Sequence, residues 1–346
     1  MIILLEKNIL PLDIDNIMEA LAAKNLKSQL SDGEERSIIG VLGDTSMVDV
    51  KNLEALEGVE RIIRITEPYK LASKTFQPQT DTFDLGKDVL IGGGHFVNMA
   101  GPCAIESYEQ LYETAQAVSQ TGARVLRGGA FKPRTSPYSF QGTGLDALKW
   151  MRDISDQFNM LVVSEVMSEL DIEAMLPYVD ILQIGTRNAQ NFRLLKAVGK
   201  TGKPILLKRG MAMTIDEWLS SAEYILNEGN KRVILCERGI RTFETSYRAT
   251  LDIAAIPVLR EKTHLPIIVD PSHAAGDAQF VPALALAATA VKSDGLIIEV
   301  HPNPKEAMSD AAQQLTFAGY SALMDQVNAI GETVGISTTG GQDAWL

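Results

Sequence analysis

The chain has 346 residues, 45% of them hydrophobic and 22% charged, the balance of an ordinary globular protein with room for a barrel of roughly 250 residues and a module of under about 100. A net charge of −12 argues against nucleic acid and anionic membranes as partners, because both demand a positive surface. No apolar run approaches the roughly 18 residues a membrane span needs, and the opening MIILLEKNILPLD has neither a basic leader nor a small-residue cleavage site, so a cytoplasmic location is expected.

In chain order, IILLEK reads as a short apolar strand and IDNIMEALAA as a helix by its spacing. KSQLSD and SIIGVLGD suggest a hairpin about Asp32 and Gly33, VDVKNLEAL a second short helix, and VERIIRI an alternating strand. This βαββαβ order is that of a ferredoxin-like module, assigned to residues 1–68. The module holds no His, Cys or phosphate loop, which leaves it two roles: building an oligomer interface or binding a regulatory ligand. Residues 69–90 are polar with few periodic apolar positions, as expected of a linker running into a short strand or hairpin.

Residues 91–346 form the second domain. From Phe96 onward, apolar runs of strand length alternate with helical stretches: FVNMAGPC, ARVLRGG, LVVSEV, VDILQIGTR, PILLKRG, RVILCERG, PIIVDPSH and GLIIEVH. Helices are expected to start near Ser107, Gly144, Ser168, Ala189, Thr214, Tyr247, Ala278 and Met308. Such alternation means parallel βαβ units, and this many close an α/β fold of the (β/α)8 TIM-barrel type. An open doubly wound sheet competes, but no GxGxxG leads from a strand into a helix; Gly92-Gly93-Gly94 precedes a strand instead.

A barrel of this kind works at the carboxyl ends of its strands. Those ends carry Cys103; Arg127, with Lys132 and Arg134 beyond it; Glu165; Arg187; Lys208 and Arg209; Glu237 and Arg238; Asp270 and His273; and Glu299. Arg127, Lys132, Arg134, Arg187, Lys208 and Arg238 make a cationic pocket in an acidic protein, suited to phosphate and carboxylate oxygens. Cys103, His273 and Glu299, with Asp310 in the last loop, offer S, N and O donors to Mn²⁺, Fe²⁺, Co²⁺ or Zn²⁺. By residue type alone, Cys103 is equally a nucleophile or an inert buried thiol, and His273 equally a general base. Cys236 reads as an ordinary strand residue, and His301, near the rim, as a neighbour of the site.

The segments AGPCAIES, RGGAFKPRTSPYSFQG, SEV, QIGTRNAQN, LLKRGM, CERGIRTFE, DPSHAAG and EVHPNP followed by SD cover the whole barrel, from about Gly92 to Leu323. In these the chain closely resembles the 3-deoxy-D-arabino-heptulosonate 7-phosphate (DAHP) synthases, in the branch with a short barrel and a separate N-terminal ferredoxin-like module. The resemblance implies a metal-dependent condensation of phosphoenolpyruvate with erythrose 4-phosphate, the first step of the shikimate pathway, in a homotetramer. It implies one divalent metal on Cys103, His273, Glu299 and Asp310, and phosphoenolpyruvate among Arg127, Lys132, Glu165, Gly185, Thr186, Arg187, Lys208 and Arg238. It implies erythrose 4-phosphate on Pro133, Arg134, Thr135 and Ser136, catalytic roles for Lys132, Glu165 and His273, and tyrosine or phenylalanine as an effector at the N-terminal module.

Two alternatives stand beside this reading. The 3-deoxy-octulosonate 8-phosphate synthases share the barrel and phosphoenolpyruvate but take arabinose 5-phosphate. They have an Asn-containing variant of the run Lys132-Pro133-Arg134-Thr135-Ser136 and lack the module, so both features favour the heptulosonate reading. The other alternative is a barrel that binds ligands without catalysis, against which the intact set of rim residues argues.

Overall fold

The computed structural model describes every residue except 33–36, 44, 46–47, 64–67, 132–137, 139 and 339–346. The chain divides into two compact units, one of Met1–Gln79 with Glu261–His264 and one of Thr80–Arg260 with Leu265–Leu346. The boundary between the two units falls after Gln79, within the stretch 69–90.

In the first unit, β1 (Ile2–Leu5), α1 (Pro11–Ala22), β2 (Lys27–Asp32), β3 (Ser37–Leu42), α2 (Val50–Glu54) and β4 (Val59–Ile63) follow the expected order. The sheet runs β2-β3-β1-β4 with antiparallel neighbours, so β3 lies between β1 and β2 as a split βαβ requires. Pro11 occupies the first turn of α1, where its missing N–H costs nothing, and the apolar stripe of Ile17 and Leu21 is buried. That stripe meets Ile3, Leu5, Ile39 and Val41 in one core. The turn expected about Asp32 and Gly33 falls largely outside the described residues.

The second unit opens with a small antiparallel pair, β5 (Phe83–Asp84) and β6 (Leu90–Ile91). The barrel strands are β7 (Val97–Gly101), β8 (Val125–Arg127), β9 (Leu161–Val166), β10 (Ile181–Ile184), β11 (Ile205–Lys208), β12 (Val233–Glu237), β13 (Ile267–Val269) and β14 (Gly295–Glu299). All pairs are parallel and β14 closes on β7. Leu85, Val89 and Ile91 join the interior cluster of Val97, Val125, Leu161 and Ile181, and Lys87 Nζ donates to Met160 O at 2.7 Å. The β5–β6 hairpin thus stops the amino-terminal mouth of the barrel, leaving the carboxyl mouth for chemistry.

Several helices start where the sequence places them, because their caps are explicit. Ser107 caps α3 (Tyr108–Gln120), Gly144 precedes α4 (Leu145–Gln157), and Thr214 with Glu217 forms a capping box on the helix Ile215–Leu226. Three expectations need correction. The strand read through His273 ends at Val269: Asp270 caps, and Pro271 opens, a short helix of Pro271–Ala275 that carries His273. The helix expected near Tyr247 begins at Ala255, since Ile240 and Thr250 exchange two backbone hydrogen bonds and hold a loop there. The helix expected near Met308 begins at Phe317, because Asp310 stands at φ 48°, a left-handed conformation that no α-helix contains. Among the described residues no helix is long and apolar enough to cross a membrane.

Candidate active site at the carboxyl rim

Side chains alternate along a strand, so the interior apolar positions fix what faces the barrel axis two residues later. Val125 is followed in this way by Arg127, Val163 by Glu165, Ile181 by Gln183, Leu206 by Lys208, Cys236 by Arg238, Ile268 by Asp270 and Ile297 by Glu299. The odd partners point the other way. Arg209 pairs with Glu237 and Asp252, each at 2.8 Å, and lies over the Trp218 ring, which makes it part of the wall. Cys236 is inside the barrel, where burial pushes its thiol pKa far up and keeps it inert.

Cys103, Glu299 and Asp310 each bring a ligand atom within 4.8 Å of the others. Glu299 ends β14 opposite Gly101 of β7. Gly101 is required there, since a Cβ would stand 2.0 Å from the Arg127 carbonyl oxygen. Pro102 and Cys103 follow, with the Cys103 N–H donating to Gln314 Oε1 at 3.0 Å and Sγ lying 3.1 Å from Ser309 Oγ and 3.5 Å from Asp310 Oδ2. Glu299 accepts from Arg127 Nη1 on Oε1 and from Gln313 Nε2 on Oε2, both at 2.6 Å.

His273 stands beside this group. Its Nε2 is 3.5 Å from Glu299 Oε1 and its Nδ1 is 2.7 Å from Asp270 Oδ2. Burial lowers the His273 pKa against the pull of Asp270, which favours the neutral ring. With the proton on Nδ1 toward Asp270, Nε2 presents a lone pair to a carboxylate oxygen, and two acceptors face each other across 3.5 Å. A divalent cation between them would satisfy both lone pairs, and a thiolate, an imidazole and two carboxylates suit a divalent transition metal.

The cations of the rim differ in what they lack. Lys208, 4% exposed, holds Asp270 at 2.5 Å. Burial works to raise the Asp270 pKa, yet His273 and Lys208 hold its carboxyl well below the usual range. Burial works to lower the Arg127 pKa, but Glu299 with Cys103 and Asp270 outweighs it, and among the described residues the buried Arg127 Nε has no hydrogen-bond partner. Arg238, 3% exposed, donates only to the carbonyls of Gly239 at 3.2 Å and His273 at 3.3 Å, and makes no ion pair among the described residues. Burial accordingly depresses its pKa. Asp270 acts on it only from a distance, and a buried guanidinium without a direct ion-pair partner is costly unless an anion arrives.

Of the other sequence-expected residues, Gly185 packs against Glu165, whose Oε2 takes a long contact of 3.5 Å from Gln183 Nε2. Thr186 and Arg187 lie on a 3-10 turn that Gly185 precedes, and Arg187 is exposed. Lys132, Pro133, Arg134, Thr135 and Ser136 lie outside the described residues. His301 is buried at the rim, with Nε2 3.6 Å from Glu106 Oε2. Sequence reasoning passed over Gln313, Gln314, Ser309 and Arg248. Three are neutral, and they sit in loops or, for Gln313, at the end of a single 3-10 turn, so neither charge nor periodicity marked them.

The family described as DAHP synthetase I matches residues 69–334, and the DAHP synthase ferredoxin-like domain matches residues 1–67. A phospho-2-dehydro-3-deoxyheptonate aldolase of Thermotoga maritima is 48% identical over 97% of this chain and 99% of its own length. A 2-dehydro-3-deoxyphosphooctonate aldolase of Desulfosudis oleivorans is 31% identical over 72% of this chain and 96% of its own. The crystal structure of the Thermotoga maritima DAHP synthase superposes with a TM-score of 0.77 at 47% identity, covering 97% of this chain and 98% of that one.

Proposed function

The chain belongs to the DAHP synthetase I family, and on that premise we propose that it condenses phosphoenolpyruvate with erythrose 4-phosphate and water, giving 3-deoxy-D-arabino-heptulosonate 7-phosphate and phosphate. The observation that carries this is the pair of buried, under-satisfied guanidinium groups of Arg127 and Arg238 next to the Cys103–Glu299–Asp310 group. They suit a small molecule with both a phosphate and a carboxylate. Lys208, Gly185, Thr186 and Arg187 complete its surroundings, and Pro133, Arg134, Thr135 and Ser136 receive the aldose phosphate.

Cys103, His273, Glu299 and Asp310 would hold one divalent ion (Mn, Fe, Co or Zn), which would supply Lewis acidity for the aldehyde oxygen. Lys132 gives that oxygen its proton as C3 of phosphoenolpyruvate bonds to the aldehyde carbon. Glu165 orients the water that adds at C2, after which phosphate leaves from the hemiketal. Asp270 keeps the His273 ring turned with Nε2 toward Glu299. The N-terminal module takes tyrosine or phenylalanine between neighbouring subunits of a homotetramer, a reading supported by the match of residues 1–67 to the family's ferredoxin-like domain.

The test is phosphate release from phosphoenolpyruvate with erythrose 4-phosphate or arabinose 5-phosphate, with and without EDTA and tyrosine or phenylalanine. Release with erythrose 4-phosphate alone, abolished by EDTA, is expected. Preference for arabinose 5-phosphate overturns the choice of aldose, and release with neither points to a barrel that only binds. Indifference to both amino acids at millimolar concentration removes the regulatory role.

A further inference from the structure

Gln313 joins groups that the metal reading needs, through contacts no motif announces. Its Nε2 donates to Glu299 Oε2 at 2.6 Å and its Oε1 accepts from Arg248 Nη1 at 2.6 Å. The amide can stand only one way round, since turning it over would set its oxygen against a carboxylate and its NH2 against a guanidinium. Both Gln313 and Glu299 are buried, so water does not substitute freely for either contact. With Arg127 on the other oxygen, each Glu299 oxygen is held by a donor and the carboxylate plane is pinned.

Arg248 extends the same connection to the other donors. Its Nη1 is 3.6 Å from Asp310 Oδ2. The backbone N–H groups of Arg248 and Ala249 donate to the carbonyls of Ala275 at 3.3 Å and Ala274 at 3.0 Å, at the end of the short helix that carries His273. One arginine therefore touches Asp310 directly, Glu299 through Gln313, and the His273 helix through the backbone.

We propose that Arg248 and Gln313 are positioning residues that set Glu299 and Asp310 in one geometry for a divalent metal, Gln313 acting through Glu299 and Arg248 through Gln313 and Asp310. The proposal rests on the metal reading given above. Metal-free protein is titrated with Co²⁺, followed by calorimetry and by the near-ultraviolet absorption of a cobalt–thiolate bond, alongside thermal unfolding. Gln313→Ala weakens Co²⁺ binding roughly 10- to 100-fold with the unfolding midpoint within a few degrees of wild type. Arg248→Ala weakens it severalfold. The double variant loses less than the product of the two, because part of the arginine's action runs through the amide. Co²⁺ affinities within twofold of wild type in both folded single variants overturn the proposal, and a fully multiplicative double variant overturns the connection between the two residues. If wild-type protein itself takes up no Co²⁺, the metal reading fails and this proposal falls with it, whereas tight wild-type binding with unaffected variants sinks the positioning role alone. Should Gln313→Ala not fold, Arg248→Ala, altering a side chain 40% exposed, decides.

Discussion

Replacing Gly185 by alanine separates catalysis from stability more sharply than any other single change at the rim. The backbone there (φ −71°, ψ 160°) is one that alanine adopts without strain, so the substitution should leave the unfolding midpoint unchanged or raise it through the lower entropy of the unfolded chain. The added Cβ, however, would stand 2.0 Å from Glu165 Oε1 and 2.6 Å from its carboxyl carbon. Restoring ordinary contact at 3.4 Å means moving that oxygen by about 1.4 Å. The carboxylate can swing, because among the described residues its one side-chain partner is Gln183 Nε2, at a long 3.5 Å. A displacement on the order of 1 Å of a group that orients a reactant costs about 100-fold. Steady-state phosphate release should show a kcat about 100-fold lower. In a Glu165→Ala background the same methyl group should cost almost nothing further, since its effect runs through the carboxylate. A kcat within about threefold of wild type refutes the reasoning, and so does a full second loss in the Glu165→Ala background.

The two buried arginines should respond in opposite ways. Arg238→Ala removes a cation that makes no direct ion pair among the described residues, so KM for phosphoenolpyruvate should rise roughly 10- to 150-fold, about 1.5 to 3 kcal/mol per charged hydrogen bond, without loss of thermal stability. Arg127→Ala instead strands the buried Glu299 and should cost about 3 to 5 kcal/mol of folding free energy, read by urea denaturation; equal stability losses in the two variants contradict the assignment. Cys103→Ala should abolish turnover while the far-ultraviolet circular dichroism stays native, and near-normal activity in chelated buffer would remove the metal role. Burial holds the His273 pKa below its ordinary 6.5, so as pH falls through 6.5 the unfolded chain takes the proton before the folded one. Stability from this group is complete above pH 6.5 and declines toward the lowered folded value. Metal-free protein should therefore lose thermal stability as pH falls below 6.5, and an identical slope in His273→Asn excludes His273 as the cause.

The barrel and its inward residues were legible because one physical rule governs both. Period-two alternation puts Ile297 in the core and Glu299 at the mouth, Ile268 in the core and Asp270 at the mouth, so finding the strands finds the rim. The rule fails where the strand stops. His273 was expected on a strand, yet Asp270 and Pro271 turn the chain into a helix first, and the turn is what sets Nδ1 on Asp270 and Nε2 toward Glu299. Asp310 was found by its place in a motif and not by periodicity, since its left-handed backbone belongs to no repeating element. Gln313 and Arg248 had no signal of either kind: their partners lie 14 and 65 residues away, respectively. Strand alternation delivers charged groups to the mouth. Their orientation comes from loop amides and caps, whose effect depends on hydrogen bonds to particular atoms and leaves no pattern in residue type. The donors that a metal would need are thus visible in the sequence as a set, and the arrangement that makes them a site is visible only in the fold.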